Sequence, residues 1–376
     1  SNTTGASNTA IGLESLYANT TGQLNTAVGA GALDANTTGA RNTALGEFAL
    51  SANTTASFNT ALGSSSLGLN TTGVLNTAVG HNSLQRNTTG IENVAIGEEA
   101  LANNTTASYN TSVGGESLKA NTTGAQNSAL GQRALYANTT GTYNSAVGLS
   151  SLGHNTTGSN NAAVGYLALY ENTTGAENVA VGVEALQANT TGGSNTAIGM
   201  RALEANTTAG NNTAVGIFAM GVNTTGDRNV ALGANALDAN TTADGNTAVG
   251  YRALSTNTTA ALNTAVGFDA LLANVTGTSN TAVGGTALTA NVTGNNNTAI
   301  GVDSMQVGTT AAANTAVGYR SMNDITTGSE NSALGDEAGG SITTGTQNVF
   351  VGQRAGNYIT TITTGNYNTY LGMATS

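Results

Sequence analysis

Asn19-Thr20-Thr21-Gly22-Gln23-Leu24-Asn25-Thr26-Ala27-Val28-Gly29-Ala30-Gly31-Ala32-Leu33-Asp34-Ala35 is followed at once by Asn36-Thr37-Thr38-Gly39, and this unit returns along almost the whole chain. Written from Asn2, the repeat is N-T-T-G-x-x-N-T-A-[VIL]-G-x-x-[AS]-L-x-x, seventeen residues long and present in 22 copies. Its second Asn recurs from Asn8, Asn25 and Asn42 to Asn348 without a slip, and a three-residue insertion near Ile359-Thr360-Thr361 then displaces the last one to Asn368. A short fixed period means that each unit is one structural element that cannot bury its apolar face alone and must stack on its neighbours.

Comparison of the copies with one another shows what each position tolerates. All Asp, Glu, Lys and Arg fall at positions 5, 6, 12, 13, 16 or 17, as do Glu99, Arg133 and Arg201, and these positions are expected to face solvent. Position 10 is always branched aliphatic, including Val28, Val113, Val147 and Val181, and position 15 is Leu or Met from Leu16 and Leu33 up to Gly339. These two columns are expected to form the core. Position 9 is Ala in nearly every copy and alternates in direction with position 10, so it is expected to point out of the coil. An outward site restricted to Ala implies another backbone close by, which makes Ala10, Ala27, Ala146, Ala163 and Ala180 candidate contacts between chains.

The two glycine columns differ. Position 4 becomes Ala in Ala56 and Ala107 and therefore needs smallness, whereas position 11 is Gly throughout, from Gly12, Gly29 and Gly46 onward, as a corner with positive φ requires. N-T-T and N-T-A-V both favour extended backbone, which predicts two short strands per coil. The stretch around the A-L pair fits either a third strand or a helical turn. The Asn of position 7 has two structural readings, a rung-to-rung amide ladder or a left-handed turn residue. Like residues stacked at about 4.8 Å per rung give an all-β parallel β-roll or β-solenoid of about 22 coils, a rod of roughly 100 Å. Regular repeats are expected over residues 1–338 and a divergent cap or transition over 339–376, where Gly339 and Gly356 replace the core Leu.

Composition narrows the function. Charged residues are 8% and aromatics 4%, the net charge is −11, and Cys, Pro and Trp are absent. There is no basic footprint for nucleic acid, no apolar run long enough for membrane insertion, and no thiolate for a disulfide or metal. The first residues lack the pattern of a secretory signal, so a signal for export is expected to lie outside this chain. His81 and His154 stand four copies apart with no acidic pair recurring beside them, and the many Ser and Thr have no accompanying base, so no catalytic set, cofactor or metal is expected. The sequons from Asn2-Thr3-Thr4 to Asn291-Val292-Thr293 arise automatically from repetition.

Asn25-Thr26-Ala27-Val28-Gly29 and Asn93-Val94-Ala95-Ile96-Gly97 resemble the core motif of the β-roll heads of trimeric autotransporter adhesins, and the whole unit is similar to repeats of phage tail-fibre proteins. The resemblance implies a homotrimeric fibre, outside the cell, on its surface or on a virion, that binds a surface receptor or glycan. The thin core of each coil independently favours association of chains. The expected function is the shaft or head of an attachment fibre, with a self-assembling extracellular filament as the alternative. Flat Thr ladders suggest an ice-binding solenoid as a third class, against which the adjacent Thr3 and Thr4 should point to opposite sides.

Overall fold

The computed structural model describes residues 2–357 and 363–373, and the insertion at residues 359–361 lies outside them. The chain divides into two units, Ser1–Thr191 and Gly192–Ser376, each a parallel β-solenoid with no helix among the described residues. The strands are three residues long and always occupy positions 8 to 10. In the first unit they run from β1 (Thr9–Ile11) and β2 (Thr26–Val28) to β11 (Val179–Val181), and in the second from β12 (Thr196–Ile198) to β21 (Val349–Val351) and β22 (Thr369–Leu371).

Pairing is parallel and in register: Thr9 faces Thr26, Ala10 faces Ala27 and Ile11 faces Val28. Thr26 N–H donates to Asn42 O of the following coil and Gly29 N–H to Ile11 O of the preceding one, at 2.9 and 2.8 Å. An internal coil thereby satisfies its strand against both neighbours, which a parallel ladder requires of buried backbone.

One strand forms per coil, not two. In the N-T-T tract the N–H groups of Thr37 and Thr38 converge on the single carbonyl of Thr54, so the backbone bends there instead of extending. The A-L stretch is neither strand nor helix but a turn in which positions 13 and 15 are left-handed, with φ of 55° at Phe48 and 51° at Leu50. Leu in this region costs about 1–2 kcal/mol. The conformation is held because Phe48 N–H bonds back to Ala30 O and Leu50 N–H bonds forward to Ser66 O, while the Leu50 side chain is fully buried. Gly29 and Gly46 at position 11 have φ of 132° and 138°, and Gly12 of 128°, the positive φ expected of that corner.

The interior of each coil consists of Ala at position 9, Ala or Ser at 14, Leu at 15, and two columns of Asn. Leu33 is fully buried and Leu16 nearly so. The strand, however, faces the opposite way from the expectation. Ala27, Ala146, Ala163 and Ala180 are wholly buried inside their own coil and cannot touch another chain; only Ala10, in the first coil, is exposed. Val147 is 39% exposed and Val181 36%, and Val28 and Val113 are half-buried. The cause is volume. Positions 9 and 15 share one narrow interior already filled by Leu and the two amides, so the strand can turn only a methyl inward. Ser112, the one Ser at position 9, confirms the direction: its hydroxyl bonds to Ser117 O at 2.8 Å inside the coil.

In the last coils the same volume is shared differently. Phe350 occupies position 9, fully buried, where Gly339 leaves position 15 empty; a Cβ on Gly339 would lie 2.8 Å from the Phe350 ring. Tyr370 of β22 stacks on Phe350 with ring centroids 5.4 Å apart. Tyr358, Ile359, Thr360 and Thr361 lie outside the described residues.

Candidate functional site: the outward strand face

Two columns of Asn fix the coil that carries the site. At position 7, Asn25 N–H donates to Asn8 Oδ1 at 2.9 Å, Asn25 Nδ2 to Gly39 O at 2.8 Å, and Asn42 N–H to Asn25 Oδ1. This is the ladder reading; the left-handed residue is its neighbour at position 6, such as Leu24 and Arg41. Position 1 forms a second ladder that the sequon pattern concealed. Asn138 Nδ2 donates to Asn121 Oδ1 and to Gly141 O, and Asn155 Nδ2 donates in turn to Asn138 Oδ1. From Asn19 to Asn291 these amides are fully buried, so the folded coil presents none of those for glycosylation, and Asn2 of the first coil is exposed. The signal was present in the sequence: the column continues as Gly308, Ile325 and Ile342, apolar replacements suited to an interior.

With Ala turned inward, positions 8 and 10 form the outer surface of the sheet. Within the first unit, Leu130, Val147, Val164 and Val181 are all exposed beside Ser128, Ser145, Ala162 and Val179. Position 12 widens the apolar stripe: Leu149, Tyr166 and Val183 border it in the first unit, and Met200, Ile217, Tyr251 and Phe268 in the second. Tyr251 and Phe268 stack at 5.9 Å. Neither position 8 nor position 10 carries a charge in any copy. The outer face is therefore uncharged along its length, with an exposed aliphatic column beside mostly Thr and Ser.

The charges lie outside positions 8 and 10, with Glu47, Glu98 and Asp336 at position 12, and several pair along the stack. Glu116 accepts from Lys119 at 2.9 Å and from Arg133 at 2.7 Å, and Lys119 also contacts Glu99. Hydrogen bonds from Lys119 and then Arg133 hold the Glu116 carboxyl below its usual range, and the bonds to Glu99 and Glu116 hold the Lys119 ammonium above its own. Such pairs lie in solvent, are screened by it, and contribute little stability. Arg133 and Arg201 are exposed as the sequence suggests, and Glu99 is partly so. Among the described residues no three His, Cys, Asp or Glu come together as a metal site, and no helix is long and apolar enough to cross a membrane. No protein-family model and no curated protein matches the chain.

Proposed function

We infer that this chain is a structural segment of an extracellular or virion-borne attachment fibre, in which copies of the chain pack side by side through the outward strand face. The observation that carries the reading is the exposed column of Val, Ile and Leu at position 10, repeated without a charge or a gap. Over the eleven strands of one unit the three-residue face is about 10 Å wide and about 50 Å long. That is about 500 Å² of the roughly 800 Å² that one partner contributes to a stable interface, and Leu149, Tyr166 and Val183 of position 12 widen it in three coils, Glu47 and Glu98 holding that position elsewhere. Identical rungs on each copy let like columns meet in register, and three copies follow the pattern of the adhesin and tail-fibre repeats that the sequence resembles.

The test is a triple substitution, Val147→Lys, Val164→Lys and Val181→Lys. The unsubstituted chain is expected to sediment as an oligomer, and the variant as a monomer with an unchanged circular-dichroism spectrum. A monomeric unsubstituted chain at micromolar concentration refutes the reading. The ice-binding alternative gains one observation: Thr at position 8 and the aliphatic at position 10 point to the same side of the sheet. Thermal hysteresis in a monomeric preparation would favour it.

A further inference from the structure

We propose that the corner formed by Arg133, Tyr136, Ser150, Gly153, His154 and Tyr170 binds a sugar carrying a carboxylate. These residues belong to positions 13, 16 and 17 of three successive coils of the first unit, and none lies in the strand columns. They enclose an open cavity of about 160 Å³, room for a single sugar ring.

The corner departs from the repeat in a concerted way. Position 16 carries Tyr136 and Tyr170 two coils apart, with Gly153 between them. A Cβ on Gly153 would stand 2.7 Å from the Tyr170 ring, so the ring takes its place only because that side chain is missing. Position 17, Ala in the two preceding coils, becomes His154 and Glu171. Glu171 Oε2 holds His154 Nδ1 at 2.8 Å, and the imidazole lies against Tyr170 with centroids 4.3 Å apart. On the other side Arg133 stands 5.6 Å from the Tyr136 ring centroid and is anchored through Nε to Glu116 Oε2.

That anchoring leaves the two terminal nitrogens of Arg133 without a hydrogen bond to the described residues, at a side chain 57% exposed. A guanidinium held by Nε with its fork free is suited to a bidentate carboxylate. Phenol rings offer flat apolar faces to the C–H face of a pyranose while their hydroxyls remain available to its hydroxyls. His154 Nε2 and the Ser150 hydroxyl supply further polar partners. Glu116 and Glu171 beside the cavity, in a chain of net charge −11, disfavour a polyanion and leave room for one negative group.

The experiment is ligand-observed NMR titration of the full chain with glucuronate, glucose and acetate, for the unsubstituted protein, Arg133→Gln and Tyr136→Ala. Circular dichroism verifies that both variants are folded. Saturable binding of glucuronate is expected, about tenfold tighter than glucose, with a loss of about tenfold in each variant. Acetate binding as tightly as glucuronate would reduce the site to an anion contact and overturn the sugar assignment. Glucose binding equally well would overturn the carboxylate. Absence of glucuronate binding, or binding that both variants retain, overturns the proposal altogether. Because the readout is independent of oligomeric state, failure here leaves the fibre reading untouched.

Discussion

Asn138 shows how much one amide carries: its Nδ2 serves Asn121 Oδ1 and Gly141 O, and its Oδ1 accepts from Asn155. Asn138→Ala leaves Asn121 Oδ1 buried without a donor and removes an acceptor from Asn155. A loss of about 3 kcal/mol is expected at roughly 1–3 kcal/mol per unsatisfied group, measurable by urea unfolding. A loss below about 1 kcal/mol would mean that water reaches the column. The chain contains its own example of such an end: Asn291 Oδ1 is buried with no partner, and the next residue in the column is Gly308, which has no amide to offer. Asp34 is a second orphan, since its Oδ1 is buried and unbonded. Burial, then the nearby Glu14 charge, push its carboxyl above the usual value against two backbone N–H groups that lower it. A folded-state pKa raised in this way favours the fold below the unfolded carboxyl pKa of about 3.9 and loses that stability as pH rises through the folded value. Asp34→Asn should therefore raise Tm at pH 7 and have no such effect near pH 3. An equal gain at both pH values would locate the effect in packing and not in charge.

At the scale of the coil, positions 9 and 15 act as one volume. Gly339→Leu alone forces a side chain into the Phe350 ring, and Phe350→Ala alone empties the coil at a cost of about 3–5 kcal/mol. Together they rebuild the ordinary Ala-Leu pair, so the double variant is expected to be more stable than the sum of its parts by about 2 kcal/mol in a thermodynamic cycle. Additivity would show that the two positions do not share space. This coupling also explains what could be read from the sequence. The period, the in-register stack, the positive φ of Gly12, Gly29 and Gly46 and the buried Leu33 all follow from positions that vary little, whereas the constant Asn25 column left a ladder and a left-handed turn equally open. The direction of the strand did not follow, because alternation says only that Ala27 and Val28 point oppositely, and hydrophobicity then favours the larger residue inside. Constancy of size was the better guide: position 10 exchanges Val, Ile and Leu freely, as a surface allows, whereas position 9 admits Ser112 only opposite Ser117 and Phe350 only opposite Gly339. The left-handed turn at position 6 was marked too, by Asn160, Asn211 and Asn296 scattered among residues that rarely adopt it. The cavity at Tyr136 and Tyr170 escaped because its members lie in separate copies and are brought together only by the stack.

Within each unit the bonds between coils join residues of adjacent coils, most of them sixteen to eighteen apart in sequence, so length is adjustable in whole coils. Deleting residues 54–70 joins Asn53 to Thr71, each already at its proper place in the repeat, and removes one strand from the first unit. The shortened chain is expected to keep its circular-dichroism spectrum with a small change in Tm, whereas removal of one residue fewer should unfold the coils around the junction. Loss of the spectrum in the seventeen-residue deletion would mean that particular coils, and not the period, hold the unit together. The same bonding has a mechanical consequence. Within a unit a coil is tied to its neighbours and to nothing farther away, so tension across the unit loads one boundary at a time and peels its coils as a zipper opens. Each released coil would lengthen the tether by about 55 Å, seventeen residues at roughly 3.5 Å each less one rung of about 4.8 Å. The force trace should then be a staircase of equal small steps, giving an extensible tether that yields gradually and shortens again when the load falls.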